Sequence, residues 1–233
     1  VHAVDPARHP LLRDIDPEVT RALLAASFHR VVPRRATLHR RSDAEPSLVL
    51  VLAGSAQLFS STAEGEELML ALLRAPGSLG EAECLLGAAA QTDGRALERC
   101  VVLEIERAAV TRALATCPRF SANFARAIAD KLRCAEARQL ALAFEPVEAR
   151  LARLLVEYAE AYGLPVEDGI KIRLPLCQDQ LASALGVARR SVTRALKGWT
   201  DDGIVAKRAA HYVISDLRPL RAAAGVDAVA LAR

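Results

Sequence analysis

Apolar positions follow two different periods along this chain, and glycine or proline marks each change. Near the start, Asp16-Pro17 precedes Glu18-Val19-Thr20-Arg21-Ala22-Leu23-Leu24. An Asp cap followed by Pro at the first helical position predicts a helix. From Val31 to Glu106 the pattern is short apolar runs, such as Leu48–Leu52 and Leu68–Leu73, divided by Gly54, Gly65, Gly77 and Gly80. Short strands punctuated by glycine predict an antiparallel barrel or roll. Leu68–Leu73 alone also fits a helix; its neighbours decide for strand. From Arg107 to about Phe144 the composition is helical. After Pro118, Phe120, Phe124, Ile128, Leu132 and Ala135 recur at helical spacing, with no Gly or Pro up to Leu142. A helix of about 25 residues is long against a mean of about 11–12, and such helices often pair with a copy of themselves. Phe124, Ile128, Leu132 and Ala135 are the expected seam; packing against the roll is the alternative.

Glu145-Pro146 breaks that helix. Leu151, Leu154, Leu155 and Tyr158 then share one face of a helix from Val147 to Tyr162, and Ile170–Leu174 alternates like a strand. The most informative segment follows, Gln180 to Leu196. It reads as two short helices around Gly186, which can take the positive φ of a tight turn. Leu181, Ala182 and Leu185 form the inner face of the first helix. Val187, Val192, Ala195 and Leu196 form that of the second. The outer face of the second shows Arg189, Arg190, Ser191, Thr193, Arg194 and Lys197. A helix buried on one side and carrying guanidinium groups on the other suits a DNA major groove. An ordinary helical hairpin with a solvated basic face is the plainer alternative. Asp202–Val205 and His211–Ile214 read as a hairpin wing, with Lys207 and Arg208 at its tip. Arg218 to Arg233 is Ala-rich and gives no prediction.

Charge strengthens this picture. The net charge is only +3, so the whole molecule is not a basic polymer binder. Residues 43–110 set eleven carboxylates against Arg74, Arg95, Arg99 and Arg107. Residues 186–208 set Arg189, Arg190, Arg194, Lys197, Lys207 and Arg208 against Asp201 and Asp202. Positive charge therefore concentrates where the helix pair predicts a phosphate-facing surface. An apolar content of 52% allows real cores, yet no apolar run is long enough to span a membrane. Val1–Asp5 shows no basic-then-apolar signal pattern. Five widely spaced cysteines, Cys84, Cys100, Cys117, Cys134 and Cys177, form no CxxC pair. A reducing cytoplasm and mostly buried thiols are expected. No Walker loop, HExxH or GxSxG is present, and no nucleophile–base pair is nominated, so no enzymatic activity is expected.

The order of these parts resembles the Crp/Fnr family of bacterial transcription regulators, named after the cyclic-AMP receptor protein and the fumarate–nitrate regulator. The roll carries the resemblance in Leu52-Ala53-Gly54, Glu64-Gly65-Glu66-Glu67, Pro76-Gly77 and Gly80-Glu81, and from Arg95 through Ile105. Leu142-Ala143-Phe144 closes the long helix, and Leu176 through Gly203-Ile204 matches the winged helix-turn-helix. The resemblance implies an α+β chain in three parts. These are an antiparallel β-roll of the double-stranded jelly-roll, cupin-like type over residues 1–117, a dimerisation helix over 118–145, and a winged helix-turn-helix over 146–233. It implies a homodimer acting on double-stranded DNA and on RNA polymerase. Arg189, Arg190, Ser191, Thr193, Arg194, Lys197, Lys207 and Arg208 are the expected DNA contacts.

The chain also departs from the family. Cyclic-nucleotide-binding members hold the phosphate with Arg followed by Ser or Thr; here those positions are Ala90 and Gln91. Without a guanidinium, bidentate phosphate recognition is lost. The phosphate loop Gly77-Ser78-Leu79-Gly80 is one residue short. The Thr-Ser pair that meets the base falls at Ala135-Glu136. Cyclic AMP is therefore not the expected effector. The effector is unknown, and no cofactor or metal is predicted. A sensor module whose roll binds another ligand, with DNA binding secondary, is the alternative function. No cysteine precedes Cys84, which argues against an iron–sulfur sensor. His29 and His39 lie near the first strand without a defined haem partner. Cys177 stands where the family often has a capping Ser or Thr. A thiol there could respond to redox, although passive substitution is the favoured reading. Members reading a TGTGA-like half-site carry Arg-Glu where this chain has Arg189-Arg190, so a different half-site is expected.

Overall fold

A computed structural model of the chain describes residues 5–41, 47–174 and 176–225. It divides into two compact units, Val1–Glu136 and Ala137–Arg233. In the first, helix α1 (Pro17–Ala25) begins as the sequence predicts: Asp16 Oδ1 accepts from the Glu18 N–H at 2.7 Å, and Pro17 opens the first turn. Eight strands follow: β1 (Ser27–Val32), β2 (Thr37–His39), β3 (Ser47–Ala53), β4 (Ser55–Ser61), β5 (Glu67–Arg74), β6 (Gly77–Leu79), β7 (Asp93–Ala96) and β8 (Cys100–Glu106). Helix α2 (Glu81–Leu86) lies between β6 and β7. The strands form two antiparallel sheets, ordered β1-β8-β3-β6 and β2-β7-β4-β5.

Strand β3 reads as an unbroken apolar run because both its faces are buried. Val49 and Val51 point into the roll with Val32, Leu38, Ala56, Leu79, Ala96 and Val102. Leu48, Leu50 and Leu52 point the other way, into a second core with Leu11, Leu23, Leu103, Ile105, Val110, Phe120 and Phe124. The similar run in β5 has a different fate. That strand is an edge, and Leu68 and Leu70 are about two-fifths exposed while Met69 and Leu73 are buried. Helices α3 (Arg107–Thr116) and α4 (Pro118–Phe144) are separate, parted at Cys117 before Pro118.

The second unit holds the end of α4, then α5 (Val147–Tyr162), β9 (Gly163–Val166), β10 (Gly169–Ile172), α6 (Gln178–Leu185), α7 (Arg189–Asp201), β11 (Val205–Arg208), β12 (His211–Ile214) and α8 (Leu217–Ala223). Its sheet is ordered β11-β12-β10-β9. The wing is confirmed with a shifted first strand. Asp202 and Gly203 close α7 instead, the Asp202 N–H bonding to Gly198 O at 2.9 Å, and pairing with β12 starts at Val205. Lys207 and Arg208 end β11, and Ala209 turns the chain with a φ of 54°. Part of the stretch that gave no prediction, Arg218 onward, belongs to α8, whose cap is Asp216 accepting from the Arg218 N–H at 2.9 Å. Residues 226–233 lie outside the described residues. Among the described residues, no helix is long and apolar enough to cross a membrane.

Candidate nucleic-acid interface

Gly186 takes a φ of 62° and caps α6, its N–H and that of Val187 turning back toward Ser183 and Ala182. This left-handed residue lets α7 start after only three intervening residues. Leu181, Ala182, Ala184 and Leu185 of α6 are buried, as are Val192, Ala195 and Leu196 of α7. Arg150 of α5 donates to Leu185 O at 2.8 Å, satisfying a carbonyl at the end of α6. At the other end, Gln180 Oε1 accepts from the Cys177 N–H at 2.9 Å, so the first turn of α6 is also satisfied.

With this side of α7 fixed, the other faces water. Arg189, Arg190, Thr193, Arg194 and Lys197 are all exposed, and at 3.6 residues per turn they fall within an arc of about 140°. Ser191 lies at the margin of this arc and is half-buried. Two members of the arc are held by α6. Arg189 Nη1 lies 3.6 Å from Asp179 Oδ2, and Thr193 donates its hydroxyl to Gln178 Oε1 at 3.0 Å. Arg190, Arg194 and Lys197 have no carboxylate partner among the described residues. On the wing, Lys207 Nζ lies 5.4 Å from the centre of the Tyr212 ring, and Arg208 pairs with Asp168. Asp168, Gln178 and Asp179 were not nominated from the sequence, because a lone surface carboxylate or amide carries no periodic signal.

The loop equivalent to the family's phosphate loop is held from within its own unit. Gly80 has a φ of 91°, and a Cβ there would lie 2.1 Å from Ser47 O, so glycine is required. The Ser78 hydroxyl donates to Glu81 Oε1. Lys131 of α4 reaches the same carboxylate at 2.5 Å and Ser78 O at 2.8 Å. Glu81 is only 3% exposed; ion pairing and hydrogen bonding are what allow its charge to be buried. His9 bonds through Nε2 to Gly77 O at 3.0 Å and accepts at Nδ1 from the Leu11 N–H at 3.3 Å. Burial pushes its pKa down. Ala90 is buried and Gln91 exposed. Arg95 is turned to the face opposite Ala96, where it stacks 4.1 Å over Phe59 and forms a bidentate pair with Glu67 at 2.6 and 2.9 Å. Arg99 is exposed. Lys131 thus reaches the loop, and it is committed to Glu81.

The other candidates are placed as follows. Phe124 is buried in the roll's own core, its ring 5.7 Å from that of Phe120. Ile128 packs partly against the same core, while Leu132 and Ala135 are exposed. Phe124 is therefore corrected from a seam residue to a core residue: its ring is already covered within one chain. His29 is exposed on β1, whereas His39 sits on β2 of the other sheet, 3.5 Å from the Thr92 hydroxyl. Among the described residues, no three His, Cys, Asp or Glu side chains gather as metal ligands. Cys84, Cys100 and Cys117 are buried; Cys134 and Cys177 are exposed. Burial pushes the Cys84 thiol up to about 12 and that of Cys100 to about 11.

Comparison with known proteins agrees with both units. Residues 29–117 match the family model of the cyclic nucleotide-binding domain, and residues 149–223 match that of the Crp-like helix-turn-helix domain. The chain is 21% identical over 210 residues to the CRP-like cAMP-activated global transcriptional regulator of Mycobacterium tuberculosis, covering 90% of this chain and 94% of that protein. It is 27% identical to the cyclic AMP receptor protein of Thermus thermophilus, covering 84% and 88%. Among solved structures, the c-di-GMP responsive regulator CLP of Xanthomonas campestris shares the fold with a TM-score of 0.76 at 22% identity, over 86% of this chain and all of that one. Two domain matches in this order, with relatives aligned along most of their length, place the chain in the Crp/Fnr family of transcription regulators.

Proposed function

We propose that the chain acts as a homodimeric, sequence-specific DNA-binding regulator that does not depend on cyclic AMP. Its parts are the roll over 1–117, the dimerisation helix over 118–145 and the winged helix-turn-helix over 146–233. The observation that carries the DNA reading is the exposed arc of α7. Arg189, Arg190 and Arg194 offer guanidinium forks on a helix whose opposite side is anchored, and such forks match O6 and N7 of guanine. Lys197 and the wing residue Lys207 face the same task through phosphate, and Arg208 stands beside them on the wing, paired with Asp168. Ser191 and Thr193 complete the contact set. RNA polymerase is the second macromolecular partner this function entails.

Independence from cyclic AMP rests on the loop. Ala90 offers no guanidinium, Arg95 is committed to Glu67, and Lys131 is committed to Glu81. A phosphate entering there would be desolvated without a free charged partner. Leaving one charge of such a pair unpartnered costs about 2–5 kcal/mol, roughly 30- to several-thousand-fold in affinity. Selection of bound duplexes from random DNA, with no ligand added, is expected to return a two-fold-symmetric site. Calorimetric titration with cyclic AMP is expected to show no binding at micromolar concentrations. Micromolar binding with a matching rise in operator affinity would overturn the second half of the proposal and make Lys131 the phosphate ligand.

A further inference from the structure

The DNA-facing surface holds two carboxylates among its cations, and each takes an arginine. Asp179, in the first turn of α6, sets Oδ2 3.6 Å from Arg189 Nη1; both side chains are 64% exposed. Asp168, in the turn between β9 and β10, accepts from both Nη1 and Nη2 of Arg208, the first at 3.1 Å. A carboxylate beside DNA is repelled by phosphate, so neither residue serves bare affinity. What each leaves free differs. A guanidinium has five N–H donors in a planar fork. Asp179 engages Nη1 alone, leaving Nε and Nη2 of Arg189 as an intact donor edge for guanine. Asp168 takes one N–H from each terminal nitrogen of Arg208, so its carboxylate occupies the end of the fork and offsets the charge that a phosphate would meet.

We infer that these two carboxylates set the specificity of the DNA face. Asp179 is a positioning residue that aims Arg189 at a base, and Asp168 masks Arg208 from indiscriminate phosphate contact. The inference rests on the proposal that α7 reads the major groove. Gln178 acts in the same sense as Asp179, because its Oε1 fixes the Thr193 hydroxyl at 3.0 Å. The first turn of α6 thus orders two neighbouring side chains of the reading arc. Arg190, Arg194 and Lys197, with no carboxylate partner among the described residues, keep their full charge for the DNA.

The test uses the full-length protein, titrated by anisotropy against its selected operator, all single-base variants of one half-site and a random duplex, across a salt series. Asp179→Asn is expected to flatten preference at one half-site position, the position that Arg189→Ala also flattens, without weakening random-duplex binding. Asp168→Asn is expected to leave base preference unchanged. It should tighten random-duplex binding by about 1.5- to 5-fold per freed arginine, the fold-change matching a surface ion pair of about 0.2–1 kcal/mol. Its log–log salt slope should steepen by about 0.9 for each freed arginine that reaches a phosphate. Adding Arg208→Gln to Asp168→Asn should remove that gain. An acid that merely supports the start of α6 would lower the melting temperature on replacement and leave base preference alone. Parental base preference in Asp179→Asn overturns the positioning role, and parental slope and affinity in Asp168→Asn overturn the mask. Parental base preference in Arg189→Ala would instead sink the groove reading for that residue.

Discussion

Leu132→Glu is expected to sediment as a monomer and to lose most of its operator affinity. Leu132 is 58% exposed on α4, although a leucine at such a position is worth about 1.5–3 kcal/mol when covered. Ile128, Leu132, Ala135 and Leu142 continue at alternating steps of four and three residues if Gln139 is counted. That is the heptad spacing of a paired helix, and one polar residue in such a seam helps to fix register. A glutamate at 132 would set two carboxylates face to face across the two-fold axis. The loss of operator binding follows from geometry, since two linked recognition helices gain about 10²–10⁴ over either alone. Leu132 is the clean site for this test. Ile128 packs partly against the roll core, so Ile128→Glu would damage the roll as well as any seam. A parental sedimentation coefficient with parental operator affinity would move the interface elsewhere.

Much of the fold was legible from periodicity. The run Leu48–Leu52 announced a strand, Asp16-Pro17 announced α1, and Gly186 between two amphipathic helices announced the α6–α7 pair. The misses have physical causes. Helix α2 has only six residues between two left-handed glycines, Gly80 and Gly87, which is too short for a 3.6-residue period to register. Phe124 shares its spacing with Ile128 and Leu132, but spacing does not say whether a helix face is covered by its own chain or by another. The turn chemistry of Asp202-Gly203 belonged to the end of α7 rather than to a strand.

The candidate site was half legible in the same way. The cations of α7 declare themselves by sitting opposite Val192, Ala195 and Leu196. Their partners do not, because Asp168 lies 40 residues from Arg208 in sequence and meets it only once the β9–β10 turn and the wing are both built. Lys131 and Glu81 are likewise 50 residues apart. From sequence, Lys131 is one more charged residue on a long helix. Only the fold shows that it answers a buried carboxylate in the loop where a phosphate-binding relative would need a free cation.

Arg190→Ala and Arg194→Ala are each expected to lower operator affinity strongly with little change in melting temperature. Both side chains are exposed and have no carboxylate partner among the described residues, so the fold loses nothing when they are shortened. A bidentate contact to guanine is worth about 1–3 kcal/mol, and the proposed homodimer would make it twice. Each variant should therefore lose about 2–6 kcal/mol, from about 30-fold to more than ten-thousand-fold. Relaxed preference is expected at one position in each half-site. Arg190 carries the sharper consequence for sequence. A glutamate at this position, as in relatives reading a TGTGA-like half-site, accepts a hydrogen bond from cytosine N4, whereas a guanidinium can only donate. Guanine is thus expected where such relatives read cytosine, and Arg190→Glu should reverse that preference in a competition between the two half-sites. Tight, preferred binding of the parent protein to the TGTGA-like operator, unchanged in Arg190→Glu, would remove Arg190 from base reading and leave it a phosphate contact.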